Sequence, residues 1–191
     1  MKYKIYQSDL IKNSLKDFQM NCKTSFEILK SITNSKDTTW NFYKYNIFNI
    51  TSGSLLFYNL FKELNFYIRD YVGNDRPLWM QSWLNYHEED DTLLTSLGNK
   101  KGFHGHDSLY HGYISIDPQN TITKFRNGNE IINKVGQVYI GPGRNTNKPG
   151  EYPFDHYVEI ISPSISPRIT IAFDLSAQVD KVLYSNYIPI L

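Results

Sequence analysis

The sequence holds one cysteine, Cys22, and two alanines, Ala172 and Ala177, among 191 residues. A single thiol excludes an internal disulfide framework and any multi-cysteine zinc or iron–sulfur site, so metal chemistry would have to use histidines and carboxylates. Long apolar runs are missing too. No stretch reaches the ~18 apolar residues of a membrane span, and the opening MKYKIYQSDL lacks the apolar length of a secretory leader. The expectation is a soluble, cytoplasmic chain with no membrane partner. Charge of one sign is also lacking: 20 Lys and Arg face 19 Asp and Glu, a formal net charge of +1, with no sustained basic block. A chain that holds nucleic acid by neutralising phosphates would be far more basic, so nucleic acid is not indicated as a partner.

What is present is enough for a packed domain. Hydrophobic residues make up 40% and aromatics 15%, and the length suits one domain. The pattern changes character near residue 75. Before it the reading is helical: in 54–72, SLLFYNLFKELNFYIRDYV, the residues Leu56, Leu60, Leu64, Tyr67 and Tyr71 recur at three- and four-residue spacing, and Gly73 follows as a C-terminal cap. A second helix is expected over 15–32. The cluster Trp40, Phe42, Tyr43, Tyr45 and Phe48 reads as core packing.

After Pro77 the chain turns to short alternating runs punctuated by Gly, Pro and Asn, the pattern of a sandwich or barrel. Strands are expected at 79–86, 111–116, 121–125, 137–140, 156–161 and 168–175. Two longer loops, 88–102 and 141–155, read as rims of a site. The organisation expected is one domain over 1–191. It comprises helical support at 1–75, a β core at 76–178 and a C-terminal extension at 179–191.

All five histidines lie between 87 and 156. His104 and His106, in GFHGHDS, are two apart, so in extended backbone both rings leave the same side. His156 opens a later strand directly after the 141–155 loop. Two ligands from one segment and a third from a remote strand can build an open-faced metal site. In RITIAFDL, alternation sets Ile169, Ile171, Phe173 and Leu175 against Arg168, Thr170, Ala172 and Asp174. If the second face looks into a cavity, the guanidinium needs an anion, which a ligand carboxylate would supply. His111, Tyr113 and Ser115 form a comparable polar face, as do Gln81, Trp83 and Asn85; such faces either line a pocket or meet water.

Taken in order, LWMQSWLNY, FHGHDSLYHGYISI and HYVEIISPSISPRITIAFDL resemble the Fe(II)/2-oxoglutarate-dependent oxygenase superfamily, in its prolyl-hydroxylase-like branch of phages and marine microbes. The low alanine content beside abundant Asn, Lys, Ile and Tyr fits an AT-rich source of that kind. The resemblance covers about residues 54 to 175. It implies a double-stranded β-helix, the cupin-like jelly roll, with Fe(II) held by the proximal and distal histidines. It also implies 2-oxoglutarate as small-molecule co-substrate, its far carboxylate on Arg168 assisted by Thr170 and Tyr113, and it makes Asn85 a further candidate co-substrate-binding residue. The activity implied is hydroxylation of a C–H bond coupled to decarboxylation of 2-oxoglutarate to succinate. The sequence departs from the usual His-x-Asp/Glu motif, because His106 stands where the carboxylate is expected and Asp107 follows one later. Two ligand sets are therefore open: His104, His106 and His156, or a set in which Asp107 replaces one histidine. The alternative to an oxygenase is a cupin-like metal- or ligand-binding protein without redox activity.

Overall fold

The computed structural model describes residues 2–33, 45–87, 102–162, 166–177 and 186–191. The chain opens with β1 (Lys4–Gln7), α1 (Asp9–Asn13), α2 (Leu15–Thr33), α3 (Ile47–Ile50) and α4 (Leu55–Val72). It continues with β2 (Leu78–His87), β3 (Tyr110–Asp117), β4 (Thr121–Phe125), β5 (Glu130–Ile132), β6 (Gln137–Pro142), β7 (His156–Ile160), β8 (Arg168–Ser176) and β9 (Ile188–Ile190). The strands make two antiparallel sheets, a large one in the order β1-β6-β3-β8-β2-β9 and a small one in the order β5-β4-β7.

Helix α4 forms where its caps and apolar face agree. The Ser54 hydroxyl accepts from the Phe57 amide, and Gly73 closes the helix at φ 71°, donating its amide to the Arg69 carbonyl; a left-handed closing residue suits glycine, which has no Cβ to clash. The buried stripe is Phe57, Leu60, Leu64 and Ile68, whereas Leu56, Tyr67 and Tyr71 are only partly buried. The expected stripe was centred to one side because the helix carries apolar residues around most of its circumference. Leu55 and Phe66 are 72% and 69% exposed, so spacing alone does not fix the buried face.

The helices cover one face of the large sheet. Phe18, Phe26 and Phe57 from α2 and α4 share a continuous core with Leu84, Ile114, Ile171 and Phe173, and Phe26 stacks on Tyr86 with ring centroids 4.5 Å apart. Ile169, Ile171, Phe173 and Leu175 of β8 are all on this side, each no more than 2% exposed. Burying such side chains stabilises by about 1.5–3 kcal/mol each, which anchors β8 at the middle of the sheet. Tyr45 and Phe48 belong to this core; Trp40, Phe42 and Tyr43 lie outside the described residues.

The opposite face of the large sheet meets the small sheet. Tyr139 of β6 packs with Phe125 of β4 and Ile131 of β5, and the Tyr113 hydroxyl of β3 donates to Asn133 Oδ1 just past β5 at 3.0 Å. The space between the sheets therefore has an apolar floor and polar walls. Three edge strands go beyond the sequence reading: β1, in a stretch read as helical, pairs with β6; β5, between two expected strands, pairs with β4; and β9, in the C-terminal extension, pairs with β2. All are three or four residues long, too short to display a period. Among the described residues no helix is long and apolar enough to cross a membrane.

Candidate functional site

His104 and His156 are brought together by backbone. Each amide donates to the other's carbonyl, at 3.0 Å from His104 and 2.8 Å from His156, an isolated antiparallel bridge beside β7. Residues that exchange both bonds carry their side chains to the same face, and these two rings sit 4.5 Å apart. His106 follows one residue beyond Gly105, its carbonyl accepting from the Arg144 amide at 2.8 Å. The donor atoms of His104, His106 and His156 all lie within 4.8 Å of one another, close enough for one ion to take all three. Asp107 is elsewhere: its side chain is 81% exposed and faces Arg144 Nη1 at 3.6 Å.

The local sequence explains the convergence. A Cβ at Gly105 would run into the carboxylate of Asp155 and the guanidinium of Arg144. Asp155, 2% exposed, receives Arg144 Nε at 3.0 Å and Nη2 at 2.8 Å, with Arg126 Nη2 at 3.4 Å. Burial alone would raise this carboxyl; the two guanidiniums outweigh it and hold the group below its ordinary value. An ion pair of a buried carboxylate and a half-buried guanidinium thus lies against the His-Gly-His segment, and glycine is the residue that lets the segment settle on it.

Two of the three rings are oriented by their Nδ1 atoms. His106 Nδ1 lies 2.9 Å from Asp174 Oδ1, and His156 Nδ1 lies 3.2 Å from the Phe154 carbonyl. Each contact makes Nδ1 the protonated nitrogen and leaves Nε2 with a free lone pair, the form a metal takes. Desolvation among the packed rings, followed by neighbouring His106, pushes the His104 imidazole down to about 4. The same causes hold His111 and His156 well below the usual histidine range. These rings are neutral at pH 7 and ready to donate to a metal.

His111 is a fourth ring in the cluster, 4.6 Å from His106 and 5.2 Å from His156 by centroids, with Nε2 3.4 Å from the Tyr139 hydroxyl. It shares a recess with His106, Arg144, Asn147, Tyr152 and Phe154, so the 141–155 loop does border the cluster. The 88–102 loop lies outside the described residues apart from its last residue, Gly102.

The inner face of β8 carries a second feature. Arg168 is 7% exposed, its Nε is buried without a partner, and desolvation lowers its guanidinium to about 10 despite the pull of Tyr113. Among the described residues it makes no hydrogen bond or ion pair. Beside it, Asn85, Thr170 and Ser115 stand in one register row across β2, β8 and β3. Asn85 Nδ2 donates to Thr170 Oγ1 at 3.3 Å, and Ser115 Oγ is buried with no partner. Among the described residues, a buried cation without an anion thus stands near an unsatisfied buried hydroxyl, a combination that a negatively charged group would satisfy.

No protein-family model and no curated protein matches the chain. Among solved structures, the chain is similar to the crystal structure of a full-length Neurospora crassa protein in complex with alpha-KG. The identity is 12% and the TM-score 0.31, over 58% of this chain and 40% of that one. The chain thus spans well under half the length of that protein.

Sequence reasoning assigned no task to Asp174, Ser115, Arg144 or Asp155. The first was within reach, since alternation from Arg168 already puts residue 174 on the inner face; what it holds there depends on a loop packed from elsewhere.

Proposed function

We propose that the protein is a non-haem Fe(II)- and 2-oxoglutarate-dependent dioxygenase, hydroxylating a C–H bond while 2-oxoglutarate is converted to succinate and CO2. One observation carries the reading: a single face of β8 links a three-histidine cluster, through Asp174, to a buried guanidinium with no anion, Arg168. A metal and a carboxylate pocket on one cavity wall are what a chelating 2-oxo dicarboxylate requires. The strand order supports a jelly-roll barrel. One wall is β6-β3-β8-β2, and the other is β5-β4-β7 extended by the His104 bridge.

In this reading Nε2 of His104, His106 and His156 hold the ion. Arg168 takes the far carboxylate of 2-oxoglutarate, with Thr170, Asn85, Tyr113 and Ser115 lining its pocket. Bound iron together with the 2-oxo acid supplies the activation of O2 that C–H oxidation needs. Trp83 stacks on His106 at 5.9 Å and shields the ring from water. The prolyl-hydroxylase-like, phage-encoded origin and the cytoplasmic setting belong to this proposal through the sequence resemblance.

The test is succinate formation from Fe(II), O2 and 2-oxoglutarate without added prime substrate, compared with His156→Ala and a metal-free control. Slow, metal-dependent succinate production is expected, because decarboxylation can run uncoupled. Its absence above the control would overturn the oxygenase reading. The same result with metal still bound would favour a cupin-like binding protein, an alternative that His106 supports by standing where a carboxylate is usual.

A further inference from the structure

A divalent ion on three neutral imidazoles keeps its full charge of two, whereas a set with one carboxylate ligand keeps one. The negative charge missing from the ligand set of this chain is found one hydrogen bond away. Asp174 leaves the inner face of β8 opposite Gln81 of β2 and His111 of β3 and meets His106 Nδ1 at 2.9 Å. Its Oδ1 is also 3.1 Å from the Ser108 hydroxyl, which in turn lies 2.9 Å from the Tyr110 carbonyl. The His106 side chain is 7% exposed and that of Asp174 20%, so the contact is largely shielded from water.

The backbone around this pair is tied at three points. The His106 carbonyl accepts from Arg144 at 2.8 Å, the Leu109 amide donates to the Leu175 carbonyl at 2.9 Å, and the Gly143 amide donates to the Leu109 carbonyl at 2.8 Å. The segment that carries His106 is therefore fastened to the end of β8 that carries Asp174. Among the described residues no carboxylate is hydrogen-bonded to either of the other two rings: His156 Nδ1 meets a backbone carbonyl, and His104, although it feels the charges of Asp155 and Asp174, has no hydrogen bond to its ring.

We infer that Asp174 is a positioning residue for the metal centre: it fixes His106 as the Nδ1–H tautomer, aims Nε2 at the ion, and supplies from behind the ring the charge that a carboxylate ligand would otherwise bring. This rests on the three-histidine reading of the site. Carboxylates behind metal-bound histidines raise the basicity of the ring, and their loss usually costs 10- to 100-fold in metal affinity. A carboxylate that accepts from Nδ1 also excludes the other tautomer, in which Nε2 carries the proton and cannot ligate.

The experiment uses Co(II) alone as a spectroscopic probe and Zn(II) for nitrogen NMR of the imidazoles, on the full chain and its Asp174→Asn and Asp174→Ala variants. Wild type should bind one Co(II) and show His106 as the Nδ1–H tautomer in the Zn(II) form. Asp174→Ala should lose 10- to 100-fold in Co(II) affinity and its fixed tautomer. Asp174→Asn, whose amide oxygen still accepts from Nδ1, should keep the tautomer but bind Co(II) more weakly than wild type, separating orientation from charge. Equal Co(II) affinity and an unchanged tautomer in both variants would overturn the inference while leaving the three-histidine site standing. Loss of all Co(II) binding in Asp174→Asn would overturn it differently, by making Asp174 a ligand. A wild-type protein that binds no Co(II), or binds it equally well as His104→Ala, would remove the metal site itself.

Discussion

His104 and His156, 52 positions apart in the sequence, exchange both of their backbone hydrogen bonds, N to O at 3.0 and 2.8 Å. Their rings therefore converge whether or not a metal is present, and an ion taken by them also ties the His-Gly-His segment to β7. Binding to the native state alone raises stability by RT ln(1 + [L]/Kd), about 2.7 kcal/mol at a hundredfold excess over Kd. Ni(II) or Mn(II) should thus raise Tm in wild type and not in His156→Ala. Asp107→Ala should respond like wild type, because that side chain faces Arg144 and solvent. A thermal shift that vanishes in Asp107→Ala but persists in His156→Ala would reverse the assignment.

Gly105→Ala should damage the site out of proportion to its size. The added methyl meets a buried carboxylate–guanidinium pair with little room to move. Overpacking of this kind costs about 1–3 kcal/mol, and relief requires moving the two flanking histidines. Chemical denaturation should show the stability loss, and Ni(II) titration a larger relative loss of affinity. Unchanged metal binding would mean that the segment tolerates displacement.

Much of this was legible in the sequence, and the reasons differ by residue. Alternation in RITIAFDL separated the buried face, Ile169 to Leu175, from Arg168, Thr170 and Asp174, because a strand packed on helices must be apolar on one side only. The spacing of His104 and His106 put two candidate ligands in one segment. Period could not reveal the bridge from His104 to His156, the Asp155 pair beneath Gly105, or the contact between His106 and Asp174. Each depends on how segments remote in sequence pack: His104 lies 52 positions from His156, Gly105 50 from Asp155 and His106 68 from Asp174. The short strands β1, β5 and β9 stayed hidden because three or four residues carry no period.

Arg168→Met should separate stability from binding. A buried guanidinium without an anion is unfavourable, and replacing buried charge with a side chain of similar volume is often stabilising, by about 1–4 kcal/mol. The variant should therefore be at least as stable as wild type without ligand. 2-Oxoglutarate should raise Tm in wild type but not in the variant. A destabilised variant that still responds to 2-oxoglutarate would contradict the anion pocket.

Acid should weaken the metal-free protein. In the unfolded chain the histidines take up protons as pH falls through about 6.5, while desolvation and neighbouring rings hold folded His104 neutral to about 4 and keep His111 and His156 well below 6.5. The unfolded state then binds more protons, so stability declines as pH falls from about 6.5 toward 4 and is flat with respect to these groups above that window. Denaturant melts across that range should show the decline, shallower in His111→Asn. A flat profile between pH 7 and about 5 would show that the rings titrate normally.

The most direct measurement is an anaerobic titration of the protein with Fe(II), followed by 2-oxoglutarate, watching the visible spectrum. Chelation of a 2-oxo acid on Fe(II) produces a weak metal-to-ligand charge-transfer band. The expected result is a band that appears only when both are present, saturates at one equivalent of iron, and is lost in His156→Ala and greatly weakened in Arg168→Ala. Iron binding with no such band at saturating 2-oxoglutarate would contradict the oxygenase reading, leaving a metal site whose anion pocket serves another ligand.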